Sequence, residues 1–195
     1  MKSSHKLFSI IGLSLLCLVS ASAQTGTTDA PLFNKDGLSF SYPAGWAFND
    51  NSNTDAQQMT FGRADSDAQI TVFVFRTPVT TPEKVAEAKA VLVDKYIAST
   101  EKSFEASGAH PESAPASTDI GGVKSGGVRI RASLDGVPGA AEIHWAVVGN
   151  RLIVLTFLGP DKALAKATPA WDAIRTSIKI AEPAPAAKPT PKTKP

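Results

Sequence analysis

The sequence predicts an α+β sandwich: a mostly antiparallel sheet of about six strands flanked by helices on its faces. Three observations carry this expectation. Residues 68–76 and 151–158 place apolar side chains on both alternating faces, which fits strands covered on both sides. Short strand patterns recur between turn signals. Two longer stretches repeat apolar residues at helical spacing.

The folded domain is expected over residues 32–180, after a leader. Lys2 and Lys6 open the chain, Leu7 to Val19 is an apolar run too short to span a bilayer, and Ala21-Ser22-Ala23 offers a small-x-small cleavage site before Gln24. Residues 1–23 thus read as a cleaved signal peptide, and the expected address is periplasmic or extracellular. That address excludes ATP-dependent and nucleotide-cofactor chemistry. Leu16 precedes Cys17, and Cys17 lies inside the apolar run, which departs from a lipoprotein signal. Once the leader is removed, no cysteine remains for a disulfide or a thiol nucleophile.

Residues 24–31 are small and polar, a flexible lead-in. Leu38 to Tyr42 alternates as a strand, Pro43-Ala44-Gly45 is a turn, and Trp46-Ala47-Phe48 starts a second strand. Asn49 to Asp55 is a loop tip, and Gln57 to Gly62 a third strand. In the strand Ala68 to Arg76, Ile70, Val72 and Val74 point one way and Thr71, Phe73 and Phe75 the other. A helix follows, N-capped by Thr81 with Pro82 first and Glu83 in its first turn. Its stripe is Val85, Ala88, Leu92 and Tyr96, widened by Val91, and it stops before Gly108.

Ala109 to Ala116 reads as Pro-broken loop, and Gly121 to Gly127 as a flexible turn. Gly127 to Leu134 alternates, with Val128, Ile130, Ala132 and Leu134 inward and Arg129 and Arg131 outward. Asp135-Gly136 marks a hairpin to Ala140–Val148, where Ala141, Ile143, Trp145 and Val147 oppose Glu142, His144 and Ala146. Gly149-Asn150 turns into the central strand Arg151 to Leu158. Thr168 caps a closing helix with Pro169 at its first position and Trp171, Ile174 and Ile178 as its buried stripe. Residues 181–195 are rich in Pro, Ala, Lys and Thr, a composition that cannot bury a core and favours extended, polyproline-like conformations.

Charge narrows the partners. The formal charge is +2. Loss of Lys2 and Lys6 leaves zero; three Lys and one Glu in the tail then leave the folded body at −2. Such a body is a poor match for nucleic acid. No second apolar stretch approaches membrane-spanning length.

Gly37-Leu38-Ser39-Phe40-Ser41-Tyr42-Pro43-Ala44-Gly45-Trp46 near the start and Ile174-Arg175-Thr176-Ser177-Ile178-Lys179-Ile180 at the end resemble the PsbP-like family of α/β/α sandwich domains. The opening strand-turn-strand pattern has a readable cause: Phe40 and Tyr42 enter the core, Pro43 and Gly45 make the turn, and Trp46 covers one end. Members of that family mostly bind or assist partners. The resemblance therefore implies an accessory role, for which small bacterial cell-envelope members are the pattern. It transfers no functional residue.

His144 and Glu142 share a strand face with Arg129 and Arg131 across the hairpin. One reading is a cluster that grips an anionic ligand, with His144 as acid or base. The plainer one is cross-strand pairing on a solvated face. Trp46 is a candidate rim residue for binding. His110, before Pro111, reads as surface. Asp50, Asn51, Asn53 and Asp55 alternate as calcium ligands do, but no register supplies the Gly and Glu of an EF-hand loop. Such residues also bond their own backbone. No metal site, cofactor or catalytic residue is assigned. The expected function is that of an exported, non-catalytic binding or accessory protein contacting an envelope protein partner. The alternatives are a carrier of a small apolar ligand and a hydrolase using His144 and Glu142. The basic tail could lie against anionic envelope polymers, or serve only as a solubilising end.

Overall fold

The computed structural model describes residues 30–181; the signal-peptide reading, residues 24–29 and the tail from Glu182 onward lie outside them. The chain opens with a hairpin, β1 (Leu32–Lys35) and β2 (Leu38–Ser41). Asp36 and Gly37 turn it with φ of 50° and 78°, the left-handed pair that a two-residue hairpin requires. Strand β3 (Ala47–Asp50), β4 (Ala56–Arg63) and β5 (Ser66–Pro78) follow. Next come α1 (Pro82–Ala88), a π-helical turn (Lys89–Val93) and α2 (Asp94–Ala106). Thr81 caps α1 as its sequence suggests, its hydroxyl accepting the N–H of Lys84 at 3.4 Å.

Strand β6 (Glu112–Pro115) and a small hairpin, β7 (Asp119–Ile120) and β8 (Val123–Lys124), lead into β9 (Gly126–Leu134), β10 (Val137–Val148) and β11 (Arg151–Pro160). Helix α3 (Asp161–Ser177) and β12 (Lys179–Ile180) close the described chain. The main sheet has seven strands in the order β3-β4-β5-β11-β10-β9-β6. Every neighbouring pair in it is antiparallel. A second sheet, β1-β2-β12, joins the two ends of the domain.

Two cores flank the main sheet. Under α3 lie Ile70, Val72 and Val74 of β5, Ile153, Leu155 and Phe157 of β11, and Met59 and Phe61 of β4. On the other face, Phe73, Ile130, Ile143 and Val154 meet Val85, Leu92, Val93, Tyr96 and Phe104 of the helical segment. Both faces of β5 and β11 are therefore covered, as their doubly apolar patterns require. The two are adjacent near the middle of the sheet, held by a long antiparallel register from Ile153↔Val74 to Leu158↔Gln69.

Several expectations need correction. The segment expected to be loop at 109–116 contains β6. Its four residues are all exposed, and a prolyl strand is tolerated at a sheet edge because one side of it bonds nothing. The closing helix begins at Asp161, not Thr168, and carries Pro169 in its interior. Burial of Leu164 and Ala167 offsets a helical cost of about 3 kcal/mol for proline. Thr168 is no cap; its hydroxyl donates to the Leu164 carbonyl at 3.0 Å.

Val91 does not widen the buried stripe; it is 49% exposed. The π turn rotates the helix so that Val93 takes the buried place. Leu134 stands exposed where β9 reaches its end, and Trp46 is buried rather than rim-exposed, at 8%. Gly126 and Gly127 belong to strand β9, not to a turn.

Candidate functional site

Register brings the polar cluster together. Strand β9 faces β10 with Arg129 opposite Glu142, Gly127 opposite His144 and Arg131 opposite Ala140. Period-two alternation then aims Glu142 and His144 to the same face. That face is solvated only at the arginine end: His144, beside α3, is 2% exposed, with Trp171 5.9 Å away, ring to ring. The outward placement expected of His144 is overturned because the same face also carries Ala140, Ala146 and Val148, which enter the core.

A chain of polar groups runs from the half-exposed Arg129 to the buried His144. The Arg129 guanidinium lies 3.4 Å from Glu142 Oε1, and His144 Nε2 lies 3.5 Å from Glu142 Oε2. The other ring nitrogen, Nδ1, is 3.4 Å from Ser125 Oγ. The Thr118 N–H donates to that same hydroxyl at 3.0 Å. His144 and Arg129 hold the Glu142 carboxyl below the ordinary glutamate range, against the opposing pull of burial.

Ser125 has no sequence signal of its own, because its Gly-rich surroundings look like a free turn. The signal that locates it is the glycine two residues on. A Cβ on Gly127 would lie 2.5 Å from His144 Nδ1 and 2.7 Å from the Ile143 carbonyl oxygen, so only glycine lets the imidazole lie flat across β9.

The other predicted residues go elsewhere. Arg131 donates to Asp161 of α3 at 2.7 Å, pinning the helix start to β9. Trp46 lies apart from the cluster, beside Arg63, Ser66 and Lys166 around a small cavity of about 110 Å³. His110 is exposed. In the 50–55 loop, Asp50 accepts from Lys35 at 2.8 Å and from the Ser52 N–H at 3.0 Å, which holds its carboxyl down to about 2. Asn53 Oδ1 takes the N–H groups of Asp55 and Ala56. Among the described residues, no group of three or more His, Cys, Asp or Glu side chains is placed to hold a metal ion.

Ser125, His144 and Glu142 have the composition of a hydrolytic triad. Ser125 and His144 are buried, at 4% and 2% exposure, while Glu142 is part-exposed. The described arrangement is an internal strut that ties the 118–125 segment, β9 and β10 together beneath the helix.

Comparison with solved structures places the architecture. The solution structure of cyanobacterial PsbP (CyanoP) from Synechocystis sp. PCC 6803 matches 83% of this chain and 98% of its own, with TM-score 0.50 and 14% identity. This chain has the PsbP-like fold. A crystal structure from Bacteroides thetaiotaomicron VPI-5482 gives TM-score 0.49 and 11% identity over 75% of this chain; the match spans 46% of that protein, under half its length. No protein-family model and no curated protein matches the sequence.

Larger hollows than the one beside Trp46 lie on the α1–α2 side of the sheet. Two cavities, each about 470 Å³, lie at opposite ends of the seam between the main sheet and α1–α2. Phe104, Leu134, Val137, Leu158 and Pro160 line the first. Phe75, Val79, Val91, Leu92 and Leu152 line the second. Among the described residues, no helix is long and apolar enough to cross a membrane.

Proposed function

We propose that this protein is an exported, non-catalytic binding or accessory protein of a bacterial cell envelope. It contacts a protein partner through the helix–sheet seam of its sandwich. One observation carries this reading. Leu134 and Val137, directly opposite each other at the β9–β10 hairpin, are 38% and 52% exposed and border an almost wholly apolar cavity. An apolar hollow with exposed aliphatic side chains at its mouth suits an inserted side chain of a partner. The buried and internally bonded state of Ser125 and His144 supports binding over turnover. In cells expressing the complete sequence, a photo-crosslinking residue at Val137 should capture the same protein in repeated purifications. The same residue at the exposed Lys124, away from the cavity, should not capture it. Equal capture from both positions would reject the seam as the contact.

The cavity volume favours a second reading, a carrier of a small apolar ligand. Native mass spectrometry after gentle purification should then show a retained mass that disappears when Leu158 is enlarged to Trp.

A further inference from the structure

The second cavity, at the α1 end of the seam, lies beside the point where the chain leaves the described fold. The Ala181 N–H donates to the Gly37 carbonyl at 2.8 Å. The neighbouring Asp36 carboxylate pairs with Arg76 at 3.1 Å, and the Arg76 N–H donates to the carbonyl of Asp55, a cavity-lining residue, at 2.9 Å. A second route runs through Ile180. A Cβ on Gly149 would lie 3.5 Å from the Ile180 side chain, and the next carbonyl, of Asn150, accepts the N–H of cavity-lining Val79 at 2.7 Å. Both routes lead from residues 180–181 to the cavity wall.

We propose that the Pro- and Lys-rich segment Glu182–Pro195 docks in this cavity. Fourteen residues follow Ala181; extended at about 3.1 Å per residue they reach about 40 Å. Pro183, Pro185, Pro189 and Pro191 bring apolar rings and no N–H groups, so burying them against Phe75 and Leu92 orphans few donors. Pro-rich segments in extended form dock in apolar, aromatic-walled grooves for this reason.

Charge points the same way. Lys188, Lys192 and Lys194 give the segment a net +2, against −2 for the body. The cavity rim carries Asp55 and Glu87, neither in an ion pair with any described residue. Lys84 is also on that rim, so the complementarity rests on two carboxylates against one amine. The tether supplies the rest: a segment held this close has an effective concentration on the order of millimolar, so weak contacts suffice. The exposed side chain of Val91, turned out by the π-helical turn, completes the apolar wall.

A nitroxide placed on the segment reads its position. The complete sequence is expressed with Cys17→Ser and Lys192→Cys, and amide signals of the purified chain are compared with and without a reduced label. Docking predicts that the amides of Lys84, Ala88 and Val91 are attenuated at least about twofold more than those of Leu134 and Val137 at the other end of the seam. The paired change Asp55→Lys and Glu87→Lys, at two exposed positions, should reduce that difference by at least about half, and so should Val91→Lys. Equal attenuation at both ends of the seam overturns the proposal. So does attenuation centred on any other surface, or a pattern that neither the rim variant nor Val91→Lys alters. The measurement uses the isolated protein, so its outcome is separate from that of partner capture at Val137.

Discussion

The two helical layers of this sandwich pack against the same sheet to different depths. Helix α3 buries Leu164, Ala167, Ala170, Trp171 and Ile174, and Trp171 stacks on Phe157 with ring centres 5.2 Å apart and planes 7° from parallel. Helices α1 and α2 bury no residue fully; only Val93 of the π turn between them is sealed. The open cavities lie on that second side. A sandwich can therefore divide its work by layer: the face under α3 supplies cohesion and a polar strut, and the face under α1–α2 keeps accessible apolar surface. Cavities lined by apolar side chains cost stability, so the two hollows of the seam make the α1–α2 face the less tightly packed of the two.

Truncations should separate the layers first. Trp171→Ala removes the stacked indole and opens a void, and should lower unfolding free energy by about 4 kcal/mol in urea titration. The equivalent cut across the sheet, Leu92→Ala, should cost about half as much, because Leu92 is only partly buried and already borders a cavity. Equal losses would erase the distinction between the faces.

Next in size is the glycine under the imidazole. Gly127→Ala should cost about 2 to 3 kcal/mol, since the new methyl meets a backbone carbonyl as well as a ring. Gly136→Ala is a useful reference, because nothing lies within 4 Å of its Cβ position and only its φ of 77° is strained. It should cost about 1 kcal/mol.

Acid should act through the strut. The folded carboxyl of Glu142 titrates below its ordinary value, so it adds stability at pH above the unfolded glutamate range of about 4.3 and loses that contribution as pH falls through the lower folded value. Chemical denaturation between roughly pH 5 and pH 3 should show a steeper decline for the natural chain than for Glu142→Gln. Parallel curves would mean that the carboxylate is not held by His144 and Arg129 in solution.

The smallest stability effects belong to the open side. Leu134→Ser and Val137→Ser should each shift unfolding by no more than about 0.5 kcal/mol, because both side chains are already part-exposed at the rim of a cavity. Leu134→Ser should also abolish partner capture by the crosslinking residue at position 137. A large loss of stability from either would place these residues in the core and remove the case for a binding surface.

Much of the fold is legible in the sequence alone. The double-faced patterns of 68–76 and 151–158 mark the two middle strands, Asp135-Gly136 marks its hairpin, and Thr81-Pro82 marks a helix start. Asp36-Gly37 carries the same turn signal as Asp135-Gly136, but Leu32–Lys35 is too short for alternation to stand out, so β1 goes unannounced. Strand β6 is illegible for a different reason: an edge strand with four exposed residues has no buried face for its sequence to record. The start of α3 is misplaced because Pro169 looks like a first-turn residue, and only the packing of Leu164 and Ala167 shows that the helix is already under way.

The candidate cluster divides the same way. Sequence alternation alone determined that Glu142, His144, Arg129 and Arg131 share a face, because side-chain period along a strand is a local property. It also determined the covered sheet and the apolar stripe of the middle helix. Only the tertiary structure decided that His144 on this face is buried, that Ser125 joins it while Arg131 leaves for Asp161, and that the larger hollows lie under one helical layer. Those facts depend on which elements, distant in sequence, lie over a given strand, and alternation is blind to what covers it.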